Sequence, residues 1–208
     1  MMIAIIDYQT GNLRSVENAL SRLGAEYELT ADPEKIKAAD KVILPGVGEA
    51  SSAMRNLEKT GLVEVIKKLK QPVLGICVGL QLMCKYSEEG DVKCMGIFDT
   101  SVRKFHFDDA DTNPDIALKN NVHLKVPHMG WNRILDLSTP LFSGVSEKSY
   151  VYFIHSYAAD LCNETIARTE YGVDFSAALN KDNFYGTQFH PEKSSDIGAR
   201  VLKNFIEL

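Results

Sequence analysis

The first ninety residues switch repeatedly between short apolar runs and segments whose apolar positions recur every three or four residues. Met2–Ile6 is a continuous apolar run, the pattern of a strand buried on both faces. Leu13, Val16, Leu20 and Leu23 follow at helical spacing, and Gly24 stops that helix. Glu26–Leu29 predicts a second strand, and Asp32-Pro33 opens a short helix. Lys41–Leu44 predicts a strand that stops at Pro45-Gly46, with helical patterning from there to about Leu69. Pro72–Ile76 predicts another buried strand, with a helix starting just after Cys77. This alternation predicts an α/β fold, a mostly parallel central sheet flanked by helices on both faces. Function in such sheets sits in loops beyond the carboxyl ends of the strands. Three segments are singled out in this way: Asp7–Asn12, Pro45–Gly48 and Cys77–Gln81.

The second half has a different rhythm. Ser149–His155, Glu164–Arg168, Val173–Asn180 and Asn183–Phe189 read as short strands, with Lys181-Asp182-Asn183 as a hairpin turn. They predict antiparallel hairpins added to the sheet. Ser194–Leu208 predicts a closing helix capped by Ser194 or Ser195, with Ile197, Val201, Leu202, Phe205 and Ile206 as its apolar stripe. The polar, acidic stretch His106–Asn121 reads as a surface loop.

Composition narrows the function classes. A length of 208 residues fits one domain, 1–208, with a full core. Basic residues number 23 and acidic ones 28, a net charge of −5, which disfavours a nucleic-acid footprint. No apolar run approaches the roughly 18 residues of a membrane-spanning helix. The opening MMIAIIDYQTGN lacks a basic region and a small-residue cleavage site, so it reads as a strand rather than a signal peptide. The four cysteines (Cys77, Cys84, Cys94 and Cys162) form no CxxC pair, and no histidine stands at metal-ligand spacing from them. The expectation is free thiols in a reducing cytoplasm, with no metal and no tightly held cofactor.

Chemistry concentrates at Gly75-Ile-Cys77-Val-Gly79. A lone cysteine is ordinarily a core residue, and Cys84 on the following helix reads that way. Cys77 differs because glycines flank it at a strand-to-helix junction. There a sharp turn lifts the central side chain above the sheet and the glycines let the helix pack closely. A thiol at a helix start is favoured as thiolate. A thiol nucleophile needs a base, and the base an orienting group. His190 at a strand end, with Glu192 two residues on, supplies both, and His155 after Tyr150–Ile154 is the rival base. The remaining histidines, His106, His123 and His128, read as solvated or structural. Leu44-Pro45-Gly46-Val47-Gly48 is either an ordinary turn or a source of backbone N–H donors for an oxyanion. It is not a phosphate loop, since neither GxxxxGK nor GxGxxG occurs.

Gly75-Ile-Cys77-Val-Gly79-Leu-Gln81, together with Gly186-Thr-Gln-Phe-His190-Pro-Glu192, resembles the class I (triad) glutamine amidotransferases. Within them the chain is similar to the glutaminase subunits of imidazole glycerol phosphate synthase, which serve histidine biosynthesis. Ile6-Asp7-Tyr8-Gln-Thr-Gly11-Asn12, Pro45-Gly-Val-Gly48, Val126-Pro-His128-Met-Gly130-Trp131-Asn132 and Tyr152-Phe-Ile-His155-Ser156-Tyr157 carry that closer likeness, which runs from about Ile3 to Leu208. Three features depart from the pattern. Gln9 stands where the family usually has Gly, Val78 replaces the common Leu, and Phe107–Asn121 is longer than usual.

The resemblance implies a flavodoxin-like fold and a triad of Cys77, His190 and Glu192. It implies oxyanion donors at the N–H of Val78 and, after a peptide flip, of Val47. Glutamine, as substrate, would be held by Gly48, Gln81 and Glu89 and by the backbone of Ser156 and Tyr157. His155 would then be a substrate-side residue rather than the base. The implied partner is a cyclase subunit in a heterodimer, with Asn12, Arg14, Met129, Trp131 and Lys193 at the interface. Alternatives are a glutaminase serving another synthase, a Cys-His hydrolase of flavodoxin-like fold and a non-catalytic binding module. The PHMGWN segment, Gln81 with the His-Pro-Glu spacing, and the intact triad argue against these in turn.

Overall fold

In the computed structural model of the chain, residues 1–8, 13–46, 48–107 and 124–208 are described. The first half runs β1 (Met2–Ile6), α1 (Arg14–Arg22), β2 (Glu26–Thr30), α2 (Pro33–Ala38), β3 (Lys41–Leu44), α3 (Ala50–Lys59), α4 (Leu62–Lys67), β4 (Val73–Ile76) and α5 (Val78–Met83). The elements follow from local chemistry. Val16, Ala19 and Leu20 form the buried face of α1. Gly24, at φ +70°, supplies the left-handed residue that ends this segment. Asp32 caps α2 by accepting the Glu34 N–H at 2.9 Å, with Pro33 in the first turn where its missing N–H costs nothing.

The second half adds β5 (Tyr86–Ser87), β6 (Val92–Lys93), β7 (Ser101–Lys104), β8 (His128–Arg133), β9 (Tyr150–His155), β10 (Tyr157–Ala159), β11 (Thr165–Tyr171), β12 (Val173–Lys181), β13 (Phe184–Thr187) and the closing α6 (Ser195–Glu207). The main sheet has the order β11-β12-β13-β4-β3-β1-β2. It is parallel from β13 to β2 and antiparallel at β12 and β11. All four residues of β3 and of β4 are buried, as expected for parallel strands covered on both faces. Asp182, at φ +52°, makes the tight turn between β12 and β13.

Two expectations change, and β10 is new. Strand β9 is present, but it does not join the main sheet. It pairs antiparallel with β8 in a separate ribbon, from His128 opposite His155 to Arg133 opposite Tyr150. The edge of the main sheet beyond β12 is already occupied by β11. Likewise β10 joins a third sheet in the order β10-β7-β5-β6. The expected serine cap of α6 is also absent. The Ser194 hydroxyl instead donates to the His190 carbonyl at 2.6 Å and accepts the Tyr152 N–H at 2.9 Å. The acidic stretch expected as a surface loop lies, from residue 108 to 121, outside the described residues. No helix among the described residues is long and apolar enough to cross a membrane.

Candidate active site

Strand β4 delivers Cys77 to its carboxyl end, and α5 starts at the next residue. Cys77 has φ +53° and ψ −110°, a backbone state that costs a non-glycine residue roughly 1–3 kcal/mol. Its N–H donates to the Thr187 carbonyl at 2.7 Å, which ties the turn to β13. Close packing holds α5 down on the sheet. A Cβ on Gly79 would lie 1.9 Å from the Leu44 carbonyl oxygen, and one on Gly75 would lie 2.4 Å from Met83 Cε. Only residues without a side chain fit at those two positions.

Strands β4 and β13 are neighbours, with Thr187 opposite Ile76. The chain leaving β13 therefore passes directly beside Cys77. The His190 N–H donates to the Tyr152 carbonyl at 2.9 Å, which fixes the backbone. Its Nδ1 lies 2.7 Å from Glu192 Oε1, and both side chains are almost fully enclosed. Burial alone lowers the His190 imidazole. Its hydrogen bonds to Cys77 and Glu192 and their charges outweigh burial and raise it to about 10. Cys77, His190 and Glu192 are thus brought together, with a thiol, a ring and a carboxylate in sequence.

The rival base, His155, is occupied elsewhere. Its Nδ1 lies 2.8 Å from the Tyr157 carbonyl, so that nitrogen carries the proton, and its Nε2 accepts from His128 Nδ1 at 3.1 Å. Asn132 Nδ2 then donates to His128 Nε2 at 3.3 Å. Burial pushes both rings well below the ordinary histidine value. They form a neutral, saturated relay beneath the site.

A cavity of about 320 Å³ opens over the thiol. Its lining includes Cys77, Val78 and His190 and all five residues implied for glutamine: Gly48, Gln81, Glu89, Ser156 and Tyr157. Val78 is the first residue of α5, so its N–H has no intrahelical partner. Glu89 accepts the Ala50 N–H at 2.9 Å. Burial raises its carboxyl, the Ala50 N–H works against that, and the Glu49 charge adds to it. A cationic group entering the cavity would favour the ionised carboxylate.

Two buried residues that the sequence did not single out complete the surroundings. Gln188 bridges Gln81 and Cys77, with its Nε2 3.7 Å from the sulfur. Tyr8, at the end of β1, donates its hydroxyl to the Pro45 carbonyl at 2.6 Å, beside the Gly46–Gly48 loop. Both lie inside quoted motif segments, Ile6–Asn12 and Gly186–Glu192, where the sequence assigns neither side chain a role.

Of the interface candidates, Met129 and Trp131 point outward from β8, 63% and 52% exposed, while His128 points inward. Arg14 is exposed at the start of α1, and Lys193 is exposed at the cavity rim. Asn12, Val47 and Gln9 lie outside the described residues. All four cysteines are free, with Cys84 fully buried. Among the described residues no group of His, Cys, Asp and Glu is arranged to hold a metal.

The family model of glutamine amidotransferase class-I matches residues 4–208. The chain is 53% identical to the imidazole glycerol phosphate synthase subunit HisH of Bacteroides fragilis (strain YCH46), over the full length of both. It is 48% identical to the protein of the same name from Haemophilus influenzae (strain ATCC 51907), over 99% of this chain and 96% of that one. Among solved structures, a glutamine amidotransferase from Thermotoga maritima superposes with a TM-score of 0.63. That match has 19% identity and covers 100% of this chain and 81% of that one, a likeness of fold. With the family model spanning nearly every residue and half the positions shared with those relatives, this chain belongs to the class-I glutamine amidotransferases.

Proposed function

We propose that the chain is the glutaminase subunit of an imidazole glycerol phosphate synthase, working in the cytoplasm beside a cyclase subunit. One observation carries the chemical part: Cys77 and His190 line one cavity with every residue implied for glutamine, and Glu192 lies 2.7 Å behind the His190 ring. The full-length likeness to subunits bearing that name carries the choice of synthase.

The reaction follows from the groups present. Cys77 Sγ attacks the side-chain carbonyl carbon of glutamine, and the carbonyl oxygen becomes an oxyanion. We assign the N–H of Val78, left without an intrahelical partner at the helix start, to that charge, and by family likeness that of Val47 as well. Losing one such donor typically costs about 10²–10³ in rate. His190 gives its proton to the departing amine, so ammonia leaves and a γ-glutamyl thioester remains. A water then attacks the thioester, His190 takes its proton, and glutamate leaves as the thiolate returns. Glu192 holds the ring with Nδ1 protonated, so Nε2 is the working nitrogen. Glu89, which lines the cavity, would receive the α-ammonium of glutamine, and Gly48, Ser156 and Tyr157 of the same lining would hold the rest of that end.

Ammonia released into neutral water becomes ammonium and loses its nucleophilicity, so release is useful only beside an acceptor. We assign Met129, Trp131, Arg14, Asn12 and Lys193 to the docking face for the cyclase. Exposed Met and Trp on one strand face suit such a surface, since large amphipathic side chains anchor interfaces.

The test is glutamate production by the purified chain alone, with the matching cyclase subunit, and with cyclase plus its ribonucleotide ligand. The expected result is a low rate alone and a large rise in the complete mixture. In Cys77→Ala the signal is lost by more than about 10³-fold, while ammonium salts still support the partner's reaction. Glutamine hydrolysis that survives Cys77→Ala, or no hydrolysis in any mixture by a folded chain, would overturn the proposal.

A further inference from the structure

Gln188 has no place in the triad, yet its carboxamide is aimed at the nucleophile. The orientation of two buried amides can be worked out from a single fixed point. The Tyr157 carbonyl oxygen only accepts hydrogen bonds, and a Gln81 carboxamide atom lies 2.9 Å from it, so that atom is Nε2. The same nitrogen is 3.0 Å from one end of the Gln188 carboxamide, which is therefore Oε1. The other end of Gln188 is then its NH₂ group, and it lies 3.7 Å from Cys77 Sγ. The Gln188 backbone has no slack, because its N–H donates to the Ala177 carbonyl at 2.8 Å. Gln188 is fully buried and Gln81 nearly so, leaving no water to compete for these bonds.

The sulfur needs such a donor. The Ile154 carbonyl oxygen is 3.9 Å from Sγ, a neighbour that suits a thiol and opposes a thiolate. An N–H aimed at the sulfur does the reverse.

We infer that Gln188 stabilises the Cys77 thiolate by hydrogen bonding, with Gln81 acting as the positioning residue that keeps the Gln188 amide turned toward the sulfur. The chain Tyr157 carbonyl, Gln81, Gln188, Cys77 then joins the substrate side of the cavity to the attacking atom. The bond assists twice. It favours the nucleophile before attack, and it favours the same sulfur as the leaving group when water opens the thioester. The inference rests on the proposed glutaminase chemistry of Cys77.

The test uses the full chain and iodoacetamide, with alkylation at Cys77 followed by mass spectrometry from pH 6 to pH 10. Gln188→Met removes the donor and keeps the length; Gln188→Glu keeps the shape and presents oxygen instead. At neutral pH both variants should alkylate about ten- to a hundredfold more slowly than the parent, the worth of one hydrogen bond to a charged group. The deficit should close toward alkaline pH, and the thiolate absorbance near 240 nm at neutral pH should fall. In the complex with cyclase, kcat for glutamine should drop with little change in KM. Parental alkylation rates in both folded variants would overturn the inference, and so would a deficit that is constant across pH, which marks altered access. Should one variant not fold, the other decides. Cys77→Ser runs alongside, and glutamine hydrolysis that survives in it refutes the glutaminase reading itself, whatever Gln188 does.

Discussion

Gly79→Ala puts the close packing under Cys77 to a quantitative test. The new methyl would start 1.9 Å from the Leu44 carbonyl oxygen, and real contacts of this kind do not fall below about 3.0 Å. About 1.1 Å of movement is therefore required. Leu44 ends β3, which is buried on both faces and bonded to β1 and β4, so the sheet cannot yield. The six-residue α5 must move instead, and Cys77 and the Val78 N–H sit at its first turn. Overpacking of this kind costs typically 1–3 kcal/mol. For a chain of this size that lowers Tm by roughly 2–4 °C per kcal/mol, so by a few degrees to about ten. Catalysis should suffer more, because a misplacement near 1 Å costs about 10²-fold. The assay pairs thermal unfolding with glutamine hydrolysis in the complex. Gly24→Ala is the control: unlike Gly79 it sits at positive φ, with no atom within 4 Å of the new Cβ, and it lies far from the thiol. It should lose about 1–2 kcal/mol of stability from backbone strain alone and keep its activity. Parental Tm and kcat in Gly79→Ala would refute the argument that α5 is held by contact with Leu44.

Three further outcomes are expected. His155 and His128 are held neutral by burial, while in the unfolded chain each takes up a proton below about pH 6.5. Their folded values are depressed, so stability is complete above that pH and falls on acidification, by about 1.4 kcal/mol per pH unit for the enclosed His155. Urea unfolding at pH 7, 6 and 5 should show a shallower loss in His155→Gln, and an unchanged slope would contradict the assignment. Tyr8→Phe removes the 2.6 Å bond to the Pro45 carbonyl. It should cost about 1 kcal/mol and lower kcat severalfold, measured by Tm and steady-state kinetics. Trp131→Ala should weaken cyclase binding by about 2 kcal/mol, near thirtyfold by calorimetry, while Cys77 alkylation in the free chain stays at the parental rate.

The parallel half of the fold was legible because buried parallel strands leave continuous apolar runs. Met2–Ile6, Lys41–Leu44 and the run ending at Ile76 are strands almost to the residue. The elbow glycines were legible for a steric reason that the Leu44 and Met83 contacts make plain. The small sheets were not. Strands of two residues, such as β5 and β6, are too short to show a period, and β8 alternates His-Met-Gly-Trp-Asn-Arg with little apolar signal. The sheet to which β9 belongs is set by partners distant in sequence, and no local pattern encodes it. The Ser194 hydroxyl illustrates the same limit. Local chemistry favours a cap, and tertiary demand from Tyr152 and His190 prevails. His155 was an open choice of base on residue type alone. Its hydrogen bonds to His128 and Tyr157 place it in a separate relay.

The pairing of β13 with β4 has a consequence for the life of the polypeptide before it leaves the ribosome. Cys77 is made early, and its turn is anchored to Thr187, 110 positions later. Until β13 emerges, β4 is a bare apolar edge in the middle of the sheet-to-be, and the thiol has neither base nor anchor. At translation speeds of about 5–20 residues per second, that interval lasts roughly 5–20 s. A nascent or truncated chain therefore cannot squander glutamine. It is also at its most aggregation-prone in that window, so conditions that stall synthesis between residues 77 and 184 should burden chaperones rather than deplete the amino-acid pool.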